Sequence, residues 1–343
     1  MTASSRPEAL PPLAVSLGDP AGIGPEIIGK AWAVRTAQGL GPFFVIGNSR
    51  AISAVWDGPI APISAPDEAQ AAFGHALPCL EMECAGEIVP GKPDMQGAKC
   101  ALQALEIGIG LAKSGAASAL VTGPVGKTQL YSVGFTHPGQ TEFIAERCGI
   151  ARDNAVMMLA GPSLRVIPVT IHIPLRDVAD ALSIELIRTR AIVTAKGLCR
   201  NFGIEKPRLV VAGLNPHGGE SGNLGREEIE IIQPAVESLR ADGMEISGPY
   251  SPDALFHESM RETYDAALCM YHDQALIPLK TLHFDEGVNM TLGLPIVRTS
   301  PDHGTAFGIA GQNIASPGAM IAAIRMAEKA ARGRLTVAES ACG

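Results

Sequence analysis

Short β-branched or apolar runs recur along this chain with helical stretches between them: LAVSL (13–17), FFVIG (43–47), SALVT (118–122), VMML (156–159), VIPVTI (166–171), LVVAGL (209–214) and ALCMY (267–271). That alternation predicts an α/β protein. Ile229, Ile232, Val236 and Leu239 fall at helical spacing behind an acidic first turn, Glu227-Glu228, which predicts an amphipathic helix whose dipole the acids complement. A second helix is expected to start at Ser316-Pro317, a capping residue followed by proline at the first turn, and to run through Met320, Ile321 and Ile324. There is no internal repeat and no low-complexity linker, so composition alone marks no domain boundary.

With 343 residues and 46% apolar content, the chain is long enough for two ordinary domains and can fill their cores. A net charge of −8 without any Lys/Arg run argues against nucleic-acid or anionic-membrane surfaces, which need clustered bases. The opening MTASSRPEALPP lacks the apolar core of an export signal, and no later stretch approaches a membrane span, so a soluble, unexported, cytoplasmic protein is expected. The cysteines (79, 84, 100, 148, 199, 269, 342) are odd in number and scattered, without a CxxC pair. They are expected to be reduced, with neither a disulfide framework nor a thiolate zinc site.

Three histidines each sit in a polar cluster directly after an expected strand: His172 in TIHIPLRD, His217 in GLNPHGGE and His272 in MYHDQ. Strand ends are where α/β enzymes assemble their sites. Three imidazoles that leave a coordination position open would form a catalytic metal centre. No local spacing demands this, and separate histidines satisfied by backbone carbonyls fit the spacing too. Residues 272–305 add Lys280, Asn289, Arg298, Asp302 and His303. Lysine and arginine can pair with carboxylate or phosphate and asparagine can orient a hydroxyl or amine, so the segment reads either as a pocket or as a solvated charged loop.

Two glycine-rich stretches invite comparison with nucleotide fingerprints. In GDPAGIGPE (18–26), Gly22 and Gly24 give G-x-G, but Ile27 stands where the third glycine belongs, so this is no dinucleotide fingerprint and is read as a tight turn, anion-facing or structural. TGPVGK (122–127) lacks the spacing of a phosphate loop, which disfavours ATP chemistry.

Taken in order, GDPAGIGPE, TGPVGK, HPGQTEF, HIPLRD, LNPHGGESGNLGREE, PDALF, YHDQALIPLK, GVNMTLGLPIVRTSPDHGTA and AGQNIASP resemble the 4-hydroxythreonine-4-phosphate dehydrogenase family of vitamin B6 synthesis, from about residue 12 to 330. The resemblance implies two α/β domains with a cleft between them, as in isocitrate and isopropylmalate dehydrogenases. One would be residues 1–130 plus 300–343 on the cofactor side, the other residues 131–299 for substrate, metal and dimerisation. It implies that His172, His217 and His272 ligate one divalent metal (zinc, cobalt or magnesium), with ligands from both subunits of a homodimer. Gln140, Thr141, Lys280, Asn289 and Arg298 fall on substrate positions. DHGTA and AGQNIASP correspond to the stretch that binds NAD or NADP, through Asp302, His303, Gly304, Thr305 and Asn313.

One departure is Gln140, where the family motif G-H-T-E has histidine. Glutamine can donate a hydrogen bond but cannot become cationic. His137 lies three residues earlier and is a spatial substitute or a plain loop residue. The expected reaction is oxidation of 4-phosphooxy-L-threonine to 2-amino-3-oxo-4-phosphooxybutanoate, which decarboxylates to 3-amino-2-oxopropyl phosphate. Lys280 is the candidate for stabilising or protonating the developing charge, and Asp253 and Asp273 are candidates for orienting a histidine or accepting a proton. A dehydrogenase of the same family acting on a phosphorylated threonate or erythronate or a cis-dihydrodiol, a metal-dependent hydrolase and a silent dimeric binding protein are the alternatives.

Overall fold

The computed structural model describes residues 10–341, with side chains described to residue 336. Residues 1–9 of the opening MTASSRPEALPP segment, and Cys342, lie outside the described residues. The chain divides into two compact units, residues 10–137 with Pro295–Leu335, and Pro138–Leu294.

The first unit is built on strands β1 (Leu13–Ser16), β2 (Phe43–Gly47), β3 (Ile60–Ile63), β4 (Leu77–Glu81), β5 (Leu120–Thr122) and β12 (Arg298–Pro301), in the order β3-β4-β2-β1-β5-β12. Every neighbouring pair is parallel. All residues of β1 and β2 are buried, as continuous apolar runs should be when helices cover both faces of a parallel sheet. β3 lies at the edge and carries Pro62, which has no N–H to give a ladder. The helix Met95–Ser114 is capped at both ends, by Asp94, whose carboxylate accepts the Gly97 N–H at 2.7 Å, and by left-handed Gly115.

Tight packing explains both glycine motifs of this unit. A Cβ on Gly24 would lie 2.2 Å from the Leu17 carbonyl oxygen, and one on Gly18, whose φ is +77°, 2.4 Å from that of Pro124. The two turns press backbone on backbone, so Gly18 and Gly24 of GDPAGIGPE have a structural use.

The cysteine expectation needs one correction here. Cys84, just beyond β4, and Cys100, in the helix Met95–Ser114, are joined by a disulfide with Cα atoms 5.8 Å apart. Their separation of 16 residues forms no local pattern, and only the return of the chain from β4 into that helix brings them together. Among the described residues Cys79, Cys148, Cys199 and Cys269 lie outside any disulfide.

The second unit holds β6 (Val156–Gly161), β7 (Leu164–Pro168), β8 (Leu209–Ala212), β9 (Ile246–Tyr250), β10 (Ala266–Cys269) and β11 (Val288–Leu292), in the order β11-β6-β7-β10-β8-β9. The first three are antiparallel and β7-β10-β8-β9 run parallel. Leu159, Val166, Ala212, Ala267, Leu255 and Leu279 belong to its apolar core.

Both expected helices form. The first opens with a π turn, Glu228–Ile232, and continues as Gln233–Ala241. A π turn holds more residues than an α turn and shifts what precedes it around the axis. Ile232, Val236 and Leu239 are accordingly buried while Ile229 is 42% exposed. The second helix runs Gly318–Ala341 and buries Met320, Ile321 and Ile324. Among the described residues no helix is long and apolar enough to cross a membrane.

Candidate active site

The three histidines leave the C-terminal ends of β7, β10 and β8, which are adjacent and parallel. Beyond the sheet, the segments after β7 and β10 stay joined. The Val169 N–H donates to the Cys269 carbonyl at 2.7 Å, and the Thr170 hydroxyl to that of Met270 at 2.8 Å. This carries His172 and His272 to one place, with ring centroids 5.8 Å apart. Both line a cavity of about 230 Å³ with Thr170, Tyr271 and Asp273.

His272 is the first residue of the helix His272–His283, and its Nδ1 lies 2.7 Å from Asp273 Oδ1. With the Nδ1 proton donated to that carboxylate, Nε2 presents its lone pair outward, the arrangement that orients and strengthens an imidazole ligand. His172 has a φ of +56°, a conformation that an L-residue takes only when its surroundings impose it.

His217 stands in a loop with an unusual backbone. Residues from His217 to Gly222 all have positive φ: His217 +52°, Gly218 +63°, Gly219 +77°, Glu220 +42°, Ser221 +58° and Gly222 +94°. Left-handed geometry costs a non-glycine residue roughly 1–2 kcal/mol, which falls here on His217, Glu220 and Ser221. Buried Glu228 anchors the base of the loop. Its Oε1 accepts the backbone N–H groups of Leu214 and Asn215, both at 2.7 Å, and its Oε2 accepts from Asn215 Nδ2 at 2.9 Å. Asn215 Nδ2 also donates to Glu227 at 2.7 Å. The Ser251 hydroxyl donates to Asp253 and holds its carboxyl below the usual range, and the nearby His217 imidazole acts in the same direction.

Within the single chain, the described residues bring His172 and His272 together, and no three His, Cys, Asp or Glu side chains converge to hold a metal ion. Of the other expected residues in this unit, Gln140 and Thr141 open the helix Gln140–Arg147, with Thr141 buried. Lys280 lies in the last turn of His272–His283, its Nζ 5.7 Å from the centroid of Phe284. Asn289, on β11, has a buried Oδ1 with no hydrogen-bond partner.

The remaining expected residues belong to the first unit. Arg298 is buried at the start of β12 and donates to the Thr122 hydroxyl at 2.8 Å. Asp302, His303, Gly304 and Thr305 follow the C-terminal end of β12, and the Thr305 carbonyl accepts the Ile23 N–H at 3.0 Å. His303 Nδ1 lies 3.1 Å from the Gly304 carbonyl oxygen. Asn313 has a φ of +58°. Lys30 fixes its segment by donating to the carbonyls of Asn313 at 3.0 Å and Ala315 at 2.9 Å. Buried Glu26 accepts from Lys30 at 2.7 Å and from the Ala315 N–H at 2.9 Å.

Sequence reading does not single out Glu26, Lys30, Asn215 or Glu228. The Glu26/Lys30 spacing of four on a helix is a usable signal, whereas Glu228 reads as one more acid in a first helical turn.

Comparison with known proteins follows the same lines. The family model described as pyridoxal phosphate biosynthetic protein PdxA matches residues 41–327. A 4-hydroxythreonine-4-phosphate dehydrogenase of Zymomonas mobilis is 58% identical over 329 residues, covering 96% of this chain and 98% of the relative. The crystal structure of a 4-hydroxythreonine-4-phosphate dehydrogenase from Klebsiella pneumoniae superposes with a TM-score of 0.84 at 38% identity, over 93% of this chain and 99% of that one. A terephthalate 1,2-cis-dihydrodiol dehydrogenase from Burkholderia xenovorans matches with a TM-score of 0.63 at 27% identity, over 92% and 97%. With its motifs in order and relatives matched over more than nine tenths of both chains, the chain belongs to the PdxA family of pyridoxal phosphate biosynthetic proteins.

Proposed function

We propose that this chain oxidises the secondary alcohol of 4-phosphooxy-L-threonine to 2-amino-3-oxo-4-phosphooxybutanoate, which loses carbon dioxide to give 3-amino-2-oxopropyl phosphate in pyridoxal phosphate synthesis. The observation that carries this reading is the set of histidines behind three adjacent parallel strands, in a chain 58% identical to a protein bearing that activity's name.

The donor set suits a divalent metal. Imidazoles, one of them backed by a carboxylate at 2.7 Å, favour zinc or cobalt, while magnesium would draw mainly on oxygen ligands. In the first unit, the segment through Asn313 offers hydrogen-bonding groups beside Ile314, which is 63% exposed, a surface suited to a dinucleotide. When bound, the metal supplies Lewis acidity at the substrate oxygens and NAD or NADP accepts the hydride.

The chain's own residues do the rest. Asp273 holds the Nδ1 proton of His272 and so fixes its tautomer, and Asp253 is placed to steady His217. Asn289 Oδ1, buried and unsatisfied, is an acceptor for the substrate's ammonium or hydroxyl hydrogens. Lys280 holds an anionic group of the substrate and delivers the proton to the carbon from which the carboxylate departs. Gln140 and Thr141 orient the same substrate through neutral hydrogen bonds.

A cytoplasmic homodimer sharing the metal site is part of the proposal. Leu175, Ile277 and Phe284, 69%, 65% and 74% exposed, give the second unit apolar surface suited to a second copy.

The test is NADH or NADPH formation from 4-phosphooxy-L-threonine by metal-stripped protein, with and without zinc, cobalt or magnesium, alongside His217→Ala. Metal-dependent turnover that the variant loses supports the reading. Turnover without metal removes the metal's role, and hydrolysis without nicotinamide reduction would make the protein a hydrolase. A second reading rests on Gln140 and on the likeness to a cis-dihydrodiol dehydrogenase. A panel adding phosphorylated threonate or erythronate and a cis-dihydrodiol separates it from the first.

A further inference from the structure

Of the groups around the histidines, Glu228 is the one whose interactions are hardest to explain as surface chemistry. It is 3% exposed, and both carboxylate oxygens point back at the start of the His217 loop rather than to solvent. Leu214 and Asn215, whose N–H groups it takes up, lie between the end of β8 at Ala212 and the left-handed run that starts at His217. The loop is packed onto the same carboxylate further along. A Cβ on Gly219 would lie 2.7 Å from Glu228 Oε2, and one on Gly213 would lie 3.1 Å from Oε1. Asn215 is held from the other side too, since a Cβ on Gly225 would lie 2.3 Å from its Nδ2.

These contacts flank His217 along the chain, on both sides of a residue that is itself exposed. The chain enters the loop through donors fixed on Glu228, passes the imidazole, and returns past Glu228 at Gly219. A backbone run of disfavoured hand persists only where its surroundings over-determine it, and a buried carboxylate filled by charge-assisted hydrogen bonds is a strong determinant.

We infer that Glu228, acting with Asn215, is the positioning residue for His217: it sets the left-handed loop so that the imidazole is presented to the metal before the metal arrives. The inference rests on His217 being a metal ligand. Glu228 touches neither metal nor substrate, and its effect is carried by backbone geometry.

Glu228→Gln tests this with little change of shape. The amide of glutamine brings its own hydrogens against the backbone N–H groups if it takes the Oε1 place, or against Asn215 Nδ2 if it takes the Oε2 place. Asn215 cannot turn to compensate without aiming its oxygen at Glu227. Zinc affinity is read by competition with a chromophoric chelator, and the geometry by the visible absorption of the cobalt-loaded protein. His217→Ala and wild type are measured beside it, with circular dichroism as the fold control.

Loss of zinc affinity of about 10–100-fold in Glu228→Gln, the range for groups that orient metal ligands, with an altered cobalt spectrum and unchanged circular dichroism, supports the inference. Asn215→Ala keeps the two backbone bonds to Glu228 and should give a smaller loss of the same kind, so it decides the matter if Glu228→Gln fails to fold. Wild-type zinc affinity and cobalt spectrum in whichever of these variants fold would overturn it. Zinc binding unaffected by His217→Ala would instead remove the metal reading itself and the positioning role with it.

Discussion

Asp273 receives the Nδ1 hydrogen of His272, its immediate neighbour in the first turn of a helix, at 2.7 Å. A carboxylate so placed chooses which imidazole nitrogen keeps its proton. Asp273→Ala is therefore expected to weaken zinc binding by about tenfold or more, while Asp273→Asn, which can still accept through its oxygen, loses less. The Asp273 side chain is 70% exposed, so thermal stability should stay close to wild type. Equal zinc affinity across all three proteins would show that the pair does not tune the ligand.

Lys30 makes a different prediction because it supports the expected cofactor segment from beneath. Its ammonium joins Glu26 to the carbonyls of Asn313 and Ala315. Lys30→Met should loosen that segment and raise the KM for NAD or NADP by about tenfold, equivalent to ~1.4 kcal/mol. Zinc affinity in the second unit should be untouched. A variant with unchanged KM would remove Lys30 from cofactor binding.

Gly18 tests the packing of the two glycine turns. Alanine there meets both a positive φ and the Pro124 carbonyl oxygen at 2.4 Å. Gly18→Ala is expected to cost about 1–3 kcal/mol through overpacking, visible as a lower denaturant midpoint. Gly39 also has a positive φ but has nothing within 4 Å of its would-be Cβ, so Gly39→Ala should lose less. Equal losses would mean that backbone hand, not the close approach, governs the site.

His283 carries the pH prediction. Burial lowers its pKa from 6.5, an effect to which Arg261 adds and which Glu286 opposes, and its Nε2 lies 2.8 Å from the Ser163 hydroxyl. The neutral imidazole is the form the folded state prefers. Between the native pKa and 6.5 the unfolded chain binds the extra proton, so stability rises with pH across that window and is flat on either side of it as far as this group is concerned. Denaturation midpoints from pH 5 to 8 should show a fall below about 6.5 that is reduced in His283→Gln. An identical pH profile in the variant would assign the fall to other groups.

The strands that the sequence announces are those with unbroken apolar runs: β1, β2, β5, β6, β7, β8 and β10. β3, β4 and β9 are hidden by Pro62, Pro78 and Pro249. β12 reads RTSP and is a strand because it pairs with β5, a tertiary cause that no local propensity carries. The histidines could be found because each directly follows a legible strand. Glu228 and Asn215 could not, since their roles lie in bonds that only the folded loop creates, and the Glu26/Lys30 spacing of four signals the ion pair but not its bonds to the carbonyls of Asn313 and Ala315. The Cys84–Cys100 crosslink is not legible either, because the two cysteines meet only when the chain returns from β4 into the helix Met95–Ser114. Helical spacing puts Ile229 on the face of Ile232, Val236 and Leu239 only if the first turn is regular, and the π turn removes that regularity.

Neighbouring strands of a sheet stand roughly 4.8 Å apart, so β7, β10 and β8 act as a ruler on which the histidine loops are mounted. Along each loop there is freedom to lengthen, shorten or exchange side chains, while the sideways interval between mounting points is held by the hydrogen-bonded ladders below. Redesign of this unit toward a new substrate therefore has a natural division of labour: the ladders are left alone, and selection or mutagenesis is confined to what rises from their ends.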